Sequence, residues 1–222
     1  MGKQVFADRR DAGRELARLL GDYRGREDVV VLGLARGGVP VAFEVARAIE
    51  APLEVFTVRK IGVPGQQELA MGAIATGGAV VMNYQVVEGI GISNGSFDLA
   101  AERATVELER RERAYRGDRA PLDLDGKTAL MVDDGLATGT TMRAAVRAVR
   151  ELGPERVVVA VPTAPASTSR ELAVLVDAMI CLSEPEHFNA VGEWYRDFTQ
   201  TTDDEVRALL AAADSGQDDP AF

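Results

Sequence analysis

The feature that most constrains this chain is a series of short apolar segments: the continuous runs Val29–Leu34, 157–161 and 178–182, and residues 53–58 and 127–132, which carry two polar residues each. A half-exposed strand would alternate polar and apolar residues, so a continuous run reads as a strand covered on both faces, the condition of a parallel sheet. Between the runs, apolar residues recur at helical spacing: Ala12, Leu16, Leu19 and Leu20 behind Asp8, and Val41, Val45, Ala48 and Ile49 around Pro40. Ala145, Ala148, Val149 and Leu152 mark another helix, ended by Gly153 and Pro154, and residues 169–175 and 203–213 read as two more. This alternation predicts an α/β fold, a parallel sheet with helices on both faces. Residues 59–83 are rich in glycine and polar side chains and read as loop or hairpin, with short strands near 71–75 and 79–82. Residues 97–115 read as a long helix whose mixed charges form a solvated face. No repeat and no internal boundary is visible, which gives one domain over residues 1–213 and a flexible acidic tail over 214–222.

Charge narrows the function. The 25 basic and 35 acidic residues give a net charge of -10, but residues 171–222 hold 12 acids against only Arg196 and Arg207. The first 170 residues are therefore neutral, with 23 of each sign. No basic face of the kind a nucleic-acid footprint requires is expected. One cysteine, Cys181, and one histidine, His187, are too few for an internal disulfide or a zinc cage. With no apolar run long enough to span a bilayer and no signal-peptide pattern, no membrane partner is expected and the expected location is cytoplasmic.

The segment Ala129 to Met142, ALMVDDGLATGTTM, carries the chemistry. A buried strand runs into Asp133 and Asp134, a short turn follows, and a helix starts within Ala137, Thr138, Gly139, Thr140 and Thr141. Backbone N–H groups and the positive dipole end of that helix, with three threonine hydroxyls, suit a phosphate monoester. Gly139 is expected to keep a side chain out of the phosphate's space. The two carboxylates are placed to accept hydrogen bonds from sugar hydroxyls beside that phosphate. No lysine follows the glycine as in a Walker loop, and no GxGxxG occurs.

Four apolar residues, two acids and ATGTT together resemble the phosphoribosyl-diphosphate (PRPP) loop of the type I phosphoribosyltransferases. The resemblance covers about residues 5–210 and implies a parallel-sheet, Rossmann-like core with a small hood built from the N-terminal segment and residues 184–200. It implies a pyrophosphate loop at Ala35, Arg36, Gly37 and Gly38, with a cis peptide at Ala35–Arg36. It places Arg59 and Lys60 on the leaving diphosphate, followed by a closing loop over residues 63–68 in which Glu68 resembles an acidic lid residue. The chain has only two other lysines, Lys3 and Lys127, so Lys60 does not belong to a lysine-rich surface. In the hood, Phe188, Trp194, Tyr195 and Phe198 are four of twelve aromatics. Phe188, with Val191 in the FNAVG stretch, resembles the base-binding segment of hypoxanthine-guanine enzymes, whereas Trp194, Tyr195 and Phe198 are expected to cover the core or a dimer contact. Ala137, however, stands where 6-oxopurine enzymes carry an aspartate and resembles the adenine-type loop, so the two halves point to different acceptors.

The activity implied is transfer of the 5-phosphoribosyl group from PRPP to a nitrogen acceptor, a nucleobase, with release of pyrophosphate. Mg²⁺ is the implied cofactor, bound mainly by diphosphate and ribose oxygens, with Asp133 and Asp134 contributing indirectly or through the ribose. A homodimer is expected. The alternative is a regulator that binds PRPP without catalysis.

Overall fold

The structure is a computed structural model that describes residues 5–117 and 119–216, without the side chains of Gln67 and Glu68. Five strands form a parallel sheet in the order β2-β1-β6-β7-β8. They are β1 (Val29–Leu34), β2 (Leu53–Phe56), β6 (Thr128–Val132), β7 (Arg156–Thr163) and β8 (Ala178–Ser183). Alternation within the continuous runs sends side chains to two cores. Val29 and Val31 of β1, Leu130 and Val132 of β6, and Val158 and Ala160 of β7 pack with Leu16, Phe43, Val45 and Leu209. These belong to helices α1 (Arg9–Ala17), α2 (Gly38–Ile49) and α7 (Asp203–Ser215). Val30 and Leu32 of β1, Met131 of β6 and Val159 of β7 pack on the other face with Met142, Val149 and Leu172, from α5 (Thr140–Arg150) and α6 (Ala166–Ala173). Both faces are covered over β1, β6 and β7, as the runs predict, whereas β8, at the edge of the sheet, is half-buried throughout.

Local signals set the helix ends. Asp8 caps α1 by accepting from the Asp11 N–H at 2.7 Å. The helix expected over 169–175 begins earlier, at Ala166 directly after Pro165. Ala48, expected on the buried stripe of α2, is exposed, while Phe43 and Ala46 fill that face. Helix α7 continues past 213 to Ser215, and residues 217–222 of the expected tail lie outside the described residues.

The expected single strand over 53–58 is divided. After Phe56 the chain leaves the parallel sheet at Thr57, whose N–H donates to the Thr76 hydroxyl at 2.9 Å. It continues as β3 (Val58–Val63), β4 (Gln66–Ala75) and β5 (Val80–Met82), a separate antiparallel sheet. The stretch expected to be loop or hairpin is therefore mostly ordered strand. Ile61, Val63, Met71 and Ile74 on one face pack under Phe97, Ala104 and Leu108 of α4 (Asn94–Arg116). A short helix, α3 (Tyr84–Gly89), links β5 towards α4.

The N-terminal segment meets residues 194–196. Phe6 donates its N–H to the Trp194 carbonyl at 2.9 Å and accepts from the Arg196 N–H at 2.9 Å. Phe6, Ala12, Trp194 and Tyr195 form a small aromatic core, against which Phe188 and Val191 pack. This cluster joins the two segments from which a hood is expected. Among the described residues, no helix is long and apolar enough to cross a membrane.

Candidate active site

Adjacent strands β1 and β6 both end at one edge of the sheet, and the loops that follow them touch. The Ala35–Arg36 peptide at the end of β1 is cis. Beyond it, the loop approaches the two acids so closely that no side chain fits. A Cβ on Gly37 would lie 2.2 Å from Asp134 Oδ2, and one on Gly38 would lie 2.6 Å from the Val132 carbonyl oxygen and 2.8 Å from Asp133 Cα. Glycine at 37 and 38 thus permits the backbone of this loop to lie against the acid pair.

Both carboxylates are tied to donors of the protein. Asp133 Oδ1 accepts from the Asp134 N–H at 2.9 Å. Asp134 Oδ2 accepts from Arg9 Nε at 2.8 Å, with the two side chains only 11% and 14% exposed. The two carboxylates also meet through their side chains, and carboxylate oxygens are the acceptors that a vicinal diol would need. Burial, and then the Asp134 charge beside it, raises Asp133 well above the usual carboxylate range. Burial also raises Asp134, opposed there by the hydrogen bond from Arg9.

The loop after the acids is pinned from several sides. Leu136 donates its N–H to the Thr163 carbonyl at 3.0 Å, and Thr168 Oγ1 donates to the Ala137 carbonyl at 2.8 Å. Gly139 caps α5 with φ 68°, and its neighbour would be the Thr168 methyl, 2.8 Å from an added Cβ. Glycine at 139 is thus required by the left-handed backbone and by Thr168. Thr138 and Thr140 pair their hydroxyls at 3.0 Å. Asp133, Gly135, Ala137, Thr138, Thr140 and Thr141 are among the residues lining a cavity of about 160 Å³ at this helix start.

The three expected cations are not brought together. Strand alternation in β3 sends Arg59 and Lys60 to opposite faces. Lys60 shares a cavity of about 360 Å³ with Thr140 and Thr141, next to the threonine loop. Arg59 instead points towards α4, 3.9 Å from Glu107. The guanidinium of Arg36 lies 3.5 Å from Asp203 at the start of α7, whose carboxylate also accepts from the Tyr115 hydroxyl at 2.6 Å. Glu68 lies on β4, and its side chain lies outside the described residues.

In the hood, Phe188 stacks on Trp194 with ring centroids 6.0 Å apart and planes 13° apart. Val191 reaches the acidic loop, where its Cγ1 would stand 2.7 Å from a Cβ on Gly135. Trp194 and Tyr195 are buried, as expected of residues covering the core, and Tyr195 donates its hydroxyl to the Asp134 carbonyl. Burial raises the Tyr195 phenol strongly, so it remains a donor.

Sequence reasoning missed Arg9, Tyr195 and Thr168. For Arg9 a signal existed. Two arginines in the first turn of α1 oppose the helix dipole, which disfavours cations there, so one of them required a partner elsewhere.

The model described as the phosphoribosyl transferase domain matches residues 6–198. A Mycobacterium tuberculosis (strain H37Rv) protein, provisionally named a phosphoribosyl transferase, is 48% identical over 210 residues, 95% of this chain and 47% of that protein. The bifunctional protein PyrR of Chloroflexus aurantiacus is 30% identical over 138 residues, 62% of this chain and 57% of that protein. The chain thus spans about half the length of the curated relatives it matches. Among solved structures, TT1426 from Thermus thermophilus is 42% identical, with 93% of this chain and 97% of that one covered at a TM-score of 0.80. With the match running from the hood strand at Phe6 through both loops to Phe198, the chain belongs to the phosphoribosyl transferase domain family.

Proposed function

We propose that the protein transfers the 5-phosphoribosyl group of PRPP to a ring or amine nitrogen of a small acceptor, a nucleobase, and releases pyrophosphate. The observation that carries this reading is the contact of Gly37 and Gly38 with Asp134 and Asp133. It sets an expected diphosphate loop and an expected ribose-binding acid pair at the ends of neighbouring parallel strands, the location at which α/β sheets bind ligands. In this reading Ala137, Thr138, Gly139, Thr140 and Thr141 hold the 5-phosphate at the start of α5. Asp133 and Asp134 accept from the ribose hydroxyls, and their negative charge favours an electron-poor C1 as its bond to diphosphate breaks.

The backbone of Ala35, Arg36, Gly37 and Gly38 binds the leaving diphosphate. Lys60 approaches from the antiparallel sheet, and Arg36 and Arg59 join when an anion competes with Asp203 and Glu107. Phe188 and Val191 bound the acceptor, with Glu68 in the lid. Mg²⁺ fits this donor set in one way. Among the described residues no group of three or more metal-ligating side chains occurs, and one Asp134 oxygen is tied to Arg9. The ion would therefore be held chiefly by ligand oxygens and water, where it would neutralise developing charge on the diphosphate.

Isothermal calorimetry with Mg²⁺-PRPP, followed by pyrophosphate release across a panel of purines, pyrimidines and other amines, tests the reading. Tight binding with turnover of at least one nucleobase is expected, and wild-type affinity retained in Asp133→Asn with Asp134→Asn would sink the site assignment. The pairing of Arg36 and Arg59 with protein carboxylates favours a second reading, a PRPP-binding regulator. Binding without turnover of any acceptor would select it.

A further inference from the structure

The Arg9 side chain bridges the acid pair and the hood through two hydrogen bonds. Its Nε donates to Asp134 Oδ2 at 2.8 Å, and its Nη1 donates to the Thr199 carbonyl at 2.7 Å. The face of its guanidinium lies 4.0 Å from the centre of the Phe198 ring. A Cβ on Gly37 would come within 3.3 Å of Arg9 Nε, so the same group also borders the loop after β1. Phe198 packs in turn on Tyr195 at 5.1 Å between ring centroids, and Tyr195 donates to the Asp134 carbonyl. Both the side chain and the backbone of Asp134 are thus held by the hood.

We propose that Arg9 is a positioning residue that couples closure of the hood to the orientation of Asp134, so that the acid pair is set for a sugar diol only while residues 198–199 are docked. A planar guanidinium suits this role because it donates in two directions within its plane while stacking by its face. A lysine at position 9 would supply the charge to Asp134 without the second donor and the stack together. Direct contact with substrate is not required of Arg9, since Asp134 Oδ2 already occupies its Nε. The proposal rests on the phosphoribosyl-transfer reading only for its ligand-binding arm.

The test joins hydrogen exchange with calorimetry on the full chain. In Arg9→Ala, exchange is expected to rise at least tenfold in two separated segments, 134–138 and 196–200, while the β1, β6 and β7 amides stay protected. Affinity for Mg²⁺-PRPP is expected to fall about tenfold or more. Arg9→Lys, which keeps a charge for Asp134 but cannot supply the second donor and the stack together, is expected to leave both segments less protected than in wild type. Phe198→Leu, which keeps Arg9 but removes the ring under its guanidinium, is expected to speed exchange in both 196–200 and 134–138 and to weaken PRPP severalfold. Faster exchange confined to 196–200 in Arg9→Ala would overturn the coupling, as would unchanged PRPP affinity in a protein whose wild type binds it. If the wild type fails to bind Mg²⁺-PRPP, the functional reading falls, and the exchange experiment still decides the coupling.

Discussion

The anionic and cationic halves of the candidate site are built in opposite ways. Asp133 and Asp134 follow a buried strand directly and are enclosed by the backbone of Gly37 and Gly38, by Arg9 and by the hood. Arg36 and Arg59 reach outward on long side chains, and each lies beside a carboxylate of a surrounding helix, Asp203 or Glu107. The carboxylates cannot move without the sheet edge, whereas the arginines can exchange one anion for another at little cost, because exposed ion pairs are worth at most about 1 kcal/mol. In the proposed reaction, that division would hold a ribose in one orientation and let a diphosphate leave.

The rigid half should break most severely. Gly37→Val forces a side chain into the Asp134 carboxylate, and Gly38→Val forces one into the Val132 carbonyl. Either substitution should lower stability by about 1–3 kcal/mol or more, in the range of overpacked cores, and should abolish Mg²⁺-PRPP binding. Urea unfolding and calorimetry report the two effects. Gly139→Val should also destabilise, through its positive φ and the Thr168 methyl. Its loss of binding will therefore be accompanied by a lower unfolding midpoint, and a normal midpoint would contradict this account of the turn.

The acid pair offers a gentler break with a definite sign. The folded state raises Asp133 well above its unfolded value, first by burial and then by Asp134. Between those two values the folded state holds more protons than the unfolded one, so this group lowers stability as pH rises through and beyond the ordinary carboxylate range. Asp133→Asn removes that penalty. The variant should bind PRPP far more weakly yet unfold at higher urea than wild type at pH 8, with the gap shrinking towards pH 4. A wild type more stable than Asp133→Asn at pH 8 would show that the carboxylate is not penalised by burial.

The same contrast explains what could be read from the sequence. Strands β1, β6 and β7 were legible because burial on both faces leaves an uninterrupted run, and the threonine loop was legible because its residue types sit together in sequence. The antiparallel sheet was legible only in part: short strands near 71–75 and 79–82 were expected, but Gly62, Gly65 and Gly72 give a loop-like composition to β3 and the start of β4, whose order comes from packing under Phe97 and Leu108. Arg59 and Lys60 are neighbours in sequence, but only the register of β3 reveals that they face different helices. Arg9 lies 125 residues from Asp134, and no local pattern links them. Contacts made by chain neighbours were visible, and those made by the sheet's far connections were not.

On the cationic side, Asp203→Asn should release Arg36. Asp203 is held below its usual range, chiefly by the Tyr115 hydroxyl and then by Arg36 and other nearby arginines. Its stabilising contribution is present above the unfolded value near 3.8 and disappears as pH falls through the lower folded value. The carboxylate is exposed, so its loss should shift stability by less than about 1 kcal/mol. Pyrophosphate should bind a few-fold more tightly to the variant as the competing anion weakens. Weaker pyrophosphate binding would mean that Asp203 orients Arg36 towards the ligand instead of restraining it.

Glu107→Gln should have the smallest effect. Arg110 is the main cause that brings Glu107 down to about 2, with Arg59 and Arg111 contributing charge. Its pairing with Arg110 at 2.9 Å is shorter than the 3.9 Å approach of Arg59. Glu107 is therefore held mostly by its own helix, and Arg59 is only loosely restrained by it. Removing the charge should change pyrophosphate affinity by less than twofold and leave the unfolding midpoint at pH 7 nearly unchanged. Only as pH falls from about 4 towards 2 should the two proteins converge further, because wild type then loses the charge that the variant never had. If pyrophosphate affinity instead rises as much as in Asp203→Asn, Arg59 is restrained as firmly as Arg36, and the antiparallel sheet belongs to the same anion-exchange system as the loop after β1.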